Sequence, residues 1–154
     1  LDEMCATMGG RAAEKIIFNK ISTGALSDLE KVTKQARAMV TVYGLNDKVG
    51  NITYYDSSGN DSFVKPYSDD TAKKIDTEIS KMIEAQYERA IELLENNKEK
   101  LTILAELLLE KEVIFKDDLQ KIFGKRPFEE VEEKIERIIE EEVKVPPVIN
   151  KTEE

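Results

Sequence analysis

Apolar residues recur at helical spacing along most of this chain, and the periodicity predicts a mainly helical, all-α fold. The predicted helices span about residues 1–19, 29–43, 69–96, 101–111, 117–123 and 128–142. The run Ile52 to Tyr55 is rich in β-prone residues and is bounded by turn signals. One short β element is therefore expected near residues 51–55, paired outside this chain or with Val64.

Local signals indicate where several of these helices begin. Ser27 with Glu30 fits a capping box for the second helix, and Thr23 is the alternative cap. Ser68 is the expected N-cap of the third helix. The pair Gly9-Gly10 lies inside the first helix, where each glycine costs roughly 1 kcal/mol relative to alanine. Close approach of another backbone would explain these glycines.

The fourth and the last predicted helices differ in their apolar faces. Ile103 and Leu107 widen the face of the fourth helix, so we expect it to be the most buried. The last helix has a narrow stripe and many glutamates, and it would pack weakly or pair with another copy or another domain. Its apolar positions are Phe128, Val131, Ile135, Ile138 and Ile139. Residues 148–154 are typical of a disordered tail.

The charge balance argues against a nucleic-acid-binding surface. The chain has 154 residues, with 32 Asp and Glu against 23 Lys and Arg, and a net charge of -9. Phosphate binding needs clustered cations, whereas the lysines here alternate with glutamates. The length suits one domain plus a tail, so we expect a domain over residues 1–124 and a separate acidic segment over 125–154.

The residue types present limit the possible chemistry. The chain has no histidine and one cysteine, Cys5, which excludes an intramolecular disulfide and a cysteine-rich metal site. A metal site made by this chain alone would use carboxylates. No apolar run is long enough to cross a membrane, and the N-terminus is not a signal peptide. The helical pattern is already under way at Leu1, which indicates a fragment of a longer protein.

No motif for phosphate binding or serine catalysis is present. Ser22, Thr23 and Ser27 fit helix caps better than nucleophiles. Asp28 lies at the expected start of the second helix, where a carboxylate is stabilised by the helix dipole. From the residue pattern alone, Asp28 is therefore more readily a dipole partner than a metal ligand.

Three blocks nevertheless share the order and spacing of one family. They are Met8-Gly9-Gly10-Arg11-Ala12-Ala13-Glu14, the segment from Ser22-Thr23-Gly24-Ala25 to Asp28-Leu29, and the segment from Ala36 to Leu45 followed by Lys48-Val49-Gly50. Together they resemble the C-terminal part of the peptidase domain of the FtsH family, the membrane-anchored AAA ATP-dependent zinc metalloproteases. The resemblance covers about residues 1–123, and residues 125–154 carry no recognisable motif of the family.

The resemblance implies a zinc-dependent mechanism. In the family, an H-E-x-x-H helix supplies two histidine ligands and a glutamate general base, and Asp28 matches the third zinc ligand. Glu14 lies near a corresponding family site and would support it, although a surface carboxylate or a helix-pairing role is the more ordinary interpretation. This chain contains no H-E-x-x-H, so its general base and two ligands are expected upstream of Leu1. Ser27 stands where the family commonly has asparagine.

The resemblance also implies what the parent protein does. It would be an ATP-dependent zinc endopeptidase that degrades unfolded or membrane proteins, assembled as a homo-hexamer with an AAA ATPase module of the same polypeptide. It would be membrane-anchored with a cytoplasmic peptidase domain, whereas this fragment would be soluble and inactive in isolation. The alternative is a non-catalytic interaction module that assembles through the helices at 69–96 and 128–142.

Overall fold

The computed structural model describes residues 1–55, 66–126 and 135. Within them, six helices follow one another: α1 (Asp2–Thr7), α2 (Gly9–Phe18), α3 (Leu26–Thr41), α4 (Asp69–Glu95), α5 (Lys98–Lys111) and α6 (Lys116–Phe123). No residue in these described ranges belongs to a β-strand. The mainly helical fold predicted from the periodicity is confirmed.

The chain divides into two compact units, Leu1–Lys98 and Glu99–Glu154. In the first unit, α4 packs against each of α1, α2 and α3. The largest fully buried side chains are Met4, Val32, Val40 and Ile75, all at positions that the helical periodicity predicts to be apolar. A fully buried side chain of this kind stabilises the folded state by about 1.5–3 kcal/mol. The core of this unit therefore lies along one face of α4.

The first predicted helix is divided into α1 and α2 at Met8. The helical hydrogen bonds continue across this point, because Met8 N–H donates to Met4 O and Ala12 N–H donates to Met8 O, each at 3.0 Å. The expected close approach of a backbone at the glycines is wrong. Apart from the neighbouring residues and the backbone of the same helix, no described atom lies within 4 Å of the place that a Cβ on Gly9 or Gly10 would occupy. The low helix propensity of glycine accounts for the interruption.

The start of α3 differs from the prediction. The helix begins at Leu26 with Ala25 as its N-cap, and no side chain caps it. Neither Ser27 nor Thr23 therefore serves as the cap. Leu29 N–H donates to Ala25 O at 2.9 Å, so the first helical hydrogen bond forms before Ser27. Ser27 consequently lies inside the first turn, where its hydroxyl cannot take the N-cap role.

The short β element predicted near residues 51–55 does not form a strand. Among the described residues, this segment has one backbone bond to a helix, from Tyr54 N–H to Thr41 O at 2.7 Å. A ladder needs several such bonds to one partner strand, and no such strand is present in the described ranges. The suggested partner Val64 and the predicted segments 128–142 and 148–154 lie outside the described residues, apart from Ile135.

The second unit has a different balance of buried and exposed groups. The expectation that α5 is the most buried helix is wrong, because the described structure buries none of its residues and Leu109 is 85% exposed.

The carboxylate of Asp118 is buried and accepts hydrogen bonds from Lys111 Nζ (2.9 Å) and Phe115 N–H (3.3 Å). These bonds lower the pKa of Asp118 and fix the start of α6. Gly124 ends α6, as predicted.

None of the helices in the described ranges is both long enough and apolar enough to cross a membrane.

Ser68 provides a test of the helix boundaries. Its hydroxyl accepts a hydrogen bond from Thr71 N–H at 3.3 Å, which confirms the predicted N-cap of α4. Ser68→Ala should lower the free energy of unfolding by about 1 kcal/mol, because one backbone donor loses its partner. Ser80→Ala, the same change at an exposed position inside α4, should be neutral or slightly stabilising. Urea unfolding measures both, and equal effects would contradict the capping role.

Candidate functional site

The candidate site lies at the connection between α2 and α3. The helix α2 ends at Phe18, and Asn19 takes a left-handed conformation with φ of 49°. Lys15 Nζ donates to Asn19 Oδ1 at 3.0 Å and holds this turn. Such a conformation is accessible to asparagine at a helix end and reverses the chain direction. The connection then runs from Lys20 to Ala25 and leads directly into α3.

A pair of hydrogen bonds joins this connection to α2. The backbone N–H of Ser22 donates to Glu14 Oε2 at 2.9 Å, and the Ser22 hydroxyl donates to Glu14 Oε1 at 2.7 Å. The Ser22 Oγ in turn accepts from Gly24 N–H at 3.2 Å. We call the contact between these two side chains the Glu14–Ser22 pair. It ties the residues immediately before α3 to a partly buried carboxylate on α2.

The environment of Glu14 favours its charged form. The hydroxyl and the backbone N–H of Ser22 lower the pKa of Glu14 by hydrogen bonding to its carboxylate. The positive charge of Arg11 also lowers the pKa of Glu14. Desolvation of the carboxylate raises this pKa, but by less than the hydrogen bonds from Ser22 lower it. Glu14 is therefore ionised at neutral pH. The Glu14–Ser22 pair persists as the pH falls until the lowered pKa of Glu14 is reached.

Asp28 follows the connection as the third residue of α3. It is partly exposed and lies in the first turn, where the helix dipole favours a carboxylate. In the part of the chain that the structure describes, no group hydrogen-bonds to Asp28 or forms an ion pair with it. A carboxylate that is held at a defined place, with no partner among the described residues, is available to an external cation or donor.

The described residues do not form a zinc site by themselves. They contain no group of three or more His, Cys, Asp or Glu side chains that could hold a metal ion. Catalytic zinc in proteins has three protein ligands, whereas this connection offers one carboxylate, Asp28. The buried Cys5 lies in α1 and has no such cluster around it. Further ligands would have to come from outside the described part of this chain.

The role of Ser22 differs from the predicted one. The sequence pattern predicts a helix cap, whereas in the structure Ser22 links Glu14 and Gly24. A serine two residues before a glycine is typical of a turn in which the hydroxyl accepts a backbone N–H, and that local signal was readable. The partner Glu14 could not be predicted from a local signal, because it lies eight residues earlier, in α2.

Comparison with known proteins identifies the relatives of this chain. The model of Peptidase family M41 matches residues 1–122. The ATP-dependent zinc metalloprotease FtsH of Parabacteroides distasonis is 59% identical over 126 residues, which cover 81% of this chain and 18% of the relative. The mitochondrial ATP-dependent zinc metalloprotease FTSH 3 of Arabidopsis thaliana is 51% identical over 131 residues, covering 85% of this chain and 16% of the relative.

A more distant relative extends the comparison to an animal protein. The mitochondrial inner membrane m-AAA protease component AFG3L2 of Mus musculus is 45% identical over 131 residues, covering 84% of this chain and 16% of the relative. The chain thus spans less than a fifth of the length of each of these three relatives. The matches run through α1 to α6, and the family model ends one residue before the end of α6.

The Glu14–Ser22 pair leads to a testable prediction for the pKa of Glu14. Ser22→Ala removes the hydroxyl that contributes most to the lowered pKa of Glu14, so that pKa should rise toward the ordinary value for glutamate. The carboxyl resonance of Glu14, followed by NMR against pH, measures the change. Ser27→Ala is the matched control, since Ser27 does not hydrogen-bond to Glu14 among the described residues and does not contribute to its lowered pKa. An unchanged Glu14 pKa in Ser22→Ala would contradict the pairing.

Proposed function

Because this chain belongs to Peptidase family M41, we propose that it is part of an ATP-dependent zinc metalloendopeptidase. The observation that carries the proposal is the carboxylate of Asp28, held at the start of α3 without a partner among the described residues. Relatives that match most of this chain are named as zinc metalloproteases. A zinc protease needs oxygen or nitrogen ligands on defined elements, and Asp28 meets that requirement.

We propose that Asp28 is the third protein ligand of the catalytic zinc. The other two ligands, histidines, and the glutamate general base would come from an H-E-x-x-H helix outside this chain, since the chain has no histidine. The position of Asp28 in the first turn of α3 fixes its backbone, so that the carboxylate needs little ordering when the metal binds. Bound zinc would activate a water molecule for attack on a peptide carbonyl.

Glu14 would act by positioning the connection and not as a ligand. Both of its carboxylate oxygens are occupied by Ser22, which leaves its charge partly compensated. The contact holds the residues that lead into α3, and through them the start of the helix that carries Asp28. This geometry supports the role inferred for Glu14 from the resemblance. The catalytic residues themselves would lie outside this chain.

The parent protein would work as a homo-hexamer with an AAA ATPase module of the same polypeptide, where ATP is bound. The uncovered apolar side chains of α5 support a role for the helical part in assembly; they are Ile103, Leu108 and Leu109. Exposed leucines on one helix are typical of contacts with another chain or domain. The interaction role considered as an alternative is therefore part of the same proposal.

Substrates and location follow from the same family assignment. Unfolded or membrane proteins are the proposed substrates, and the parent protein would be anchored in a membrane with its peptidase domain in the cytoplasm. The mouse relative is named as a component of the mitochondrial inner membrane, which supports a membrane setting for the parent protein. The net charge of -9 disfavours nucleic acid as a partner.

The ligand assignment can be tested in a longer chain that begins upstream at the H-E-x-x-H helix. That protein should bind one zinc ion per chain, and Asp28→Ala should remove the zinc and abolish casein degradation, because two histidines alone do not hold catalytic zinc tightly. Asp70→Ala is the matched control, since Asp70 also lies in the first turn of a helix and is exposed. Atomic absorption and a casein assay measure both properties.

The control separates the metal role from the helix dipole. In the zinc-free protein, each substitution only removes one carboxylate from a first helical turn, so the loss in stability should be similar, about 0.3–1 kcal/mol. Zinc loss in Asp28→Ala with zinc retained in Asp70→Ala would establish a ligand. Full zinc content and full activity in Asp28→Ala would show that the assignment is wrong.

The chain as it stands should be inactive. It offers one candidate ligand and no histidine, so equilibrium dialysis against zinc should show no tight binding, and casein should remain intact. The longer chain, assayed at the same concentration, is the control for both measurements. Tight binding of one zinc ion by residues 1–154 alone would contradict the proposal that the remaining ligands lie elsewhere.

A further inference from the structure

An apolar groove lies in the second unit beside α6. Its cavity volume is about 490 Å³, and it is lined by residues of α6 and by residues that precede and follow this helix in the sequence. The apolar side chains that line it are Ile114, Phe115, Leu119 and Phe123. Phe115 is 69% exposed, and Phe123 and Leu119 are also accessible. Aromatic surface of this extent in contact with water is unfavourable unless another element covers it.

The surroundings of the groove are basic. Arg126 lines it, and Lys100 Nζ lies 5.9 Å from the centroid of the Phe123 ring. Residues 111–126 contain five lysines and arginines against three acidic residues. One of these three, Asp118, is paired with Lys111 at 2.9 Å. The groove therefore suits an element that has an apolar stripe and a surplus of negative charge.

The segment 128–142 has this composition. It contains eight glutamates, one lysine and one arginine, and five apolar residues at helical spacing. Of this segment the structure describes Ile135, which is helical and 51% exposed. A narrow apolar stripe on an acidic helix needs an apolar surface with basic edges. The family model ends at residue 122, so this segment is outside the matched region.

We propose that the segment 128–142 docks as an amphipathic helix into the groove of its own chain. The route of the backbone favours the same chain over a second copy. The chain leaves α6 at Gly124, whose φ of 86° turns it away from the helix axis, and Arg126 still lines the groove. Pro127 is then suited to the first turn of the next helix. A connection of this length joins two antiparallel neighbouring helices.

The covered surface would include Phe123 and Leu119 on one side and Ile138 on the other. The glutamates on the flanks of the segment would approach Arg126 and Lys100. Because the connection is only a few residues long, the segment has a high effective concentration at the groove, in the mM range. Weak contacts are then sufficient to keep it docked. This proposal does not depend on the proposed zinc role of Asp28.

Tryptophan fluorescence in the full chain tests the docking, since the chain contains no tryptophan. Phe123→Trp places one reporter in the groove, and its emission should move to longer wavelength when Ile138→Asp is added, because the ring becomes hydrated. Val148→Asp, the same kind of change beyond the segment, should leave the emission unchanged. A reporter at the exposed Leu109, Leu109→Trp, should respond to neither change.

Proteolysis tests the same docking with a substitution in the groove and none in the segment 128–142. Leu119→Asp puts a charge into the apolar wall and should speed tryptic cleavage after Lys134 and Arg137 several-fold, because the segment is released. Leu109→Asp, the same change on an exposed face of α5, should leave these cleavage rates unchanged. Because the proteolysis variants leave the segment itself unchanged, this measurement does not depend on whether Ile138→Asp disturbs its helix.

Three outcomes would overturn the proposal. The first is an emission of Phe123→Trp that does not change with Ile138→Asp. The second is equal tryptic cleavage in Leu119→Asp and Leu109→Asp. The third is a red shift of the Phe123→Trp emission on serial dilution, which would show that the occupant of the groove is a second copy of the chain.

Discussion

The burial of one face of α4 against α1, α2 and α3 is the interaction on which the first unit depends. Ile75 from α4 and Val32 from α3 belong to one fully buried cluster, with the small residues Ala12 and Ala36. Small side chains at such crossings let the helices approach closely, which increases the number of dispersion contacts. Because α2 and α3 pack on the same helix, the short connection between them has both of its ends fixed.

That constraint explains how exposed hydrogen bonds can organise the candidate site. Glu14 and Ser22 lie near solvent, where such bonds add little to the stability of the whole fold. Their effect is local, since the core already fixes α2 and α3 and the bonds select one path for the residues between them. Asp28 gains a defined position from the packed helix that carries it. Stability and site geometry therefore come from different parts of the unit.

The sequence predicted what depends on local periodicity and failed where distant contacts decide. The N-cap at Ser68 and the end at Gly124 were readable because each involves neighbouring residues. The cap at Ser27 was wrong, since the first helical bond forms from the carbonyl of Ala25. Asp28 could be placed at a helix start, but its proposed role rests on the resemblance. The bond from Glu14 to Ser22 needs the path of the connection, which periodicity does not contain.

The wrong prediction for α5 shows what an apolar pattern can establish. A wide apolar face predicts that a helix has partners, but the pattern does not contain the partner's identity or whether it lies in the same chain. Leu109 is 85% exposed on a helix whose sequence favours burial. The polar side chain of Asp28 is in the same situation, since its carboxylate has no partner among the described residues. Neither feature has a partner among the described residues, and the chain spans less than a fifth of the length of the relatives that it matches.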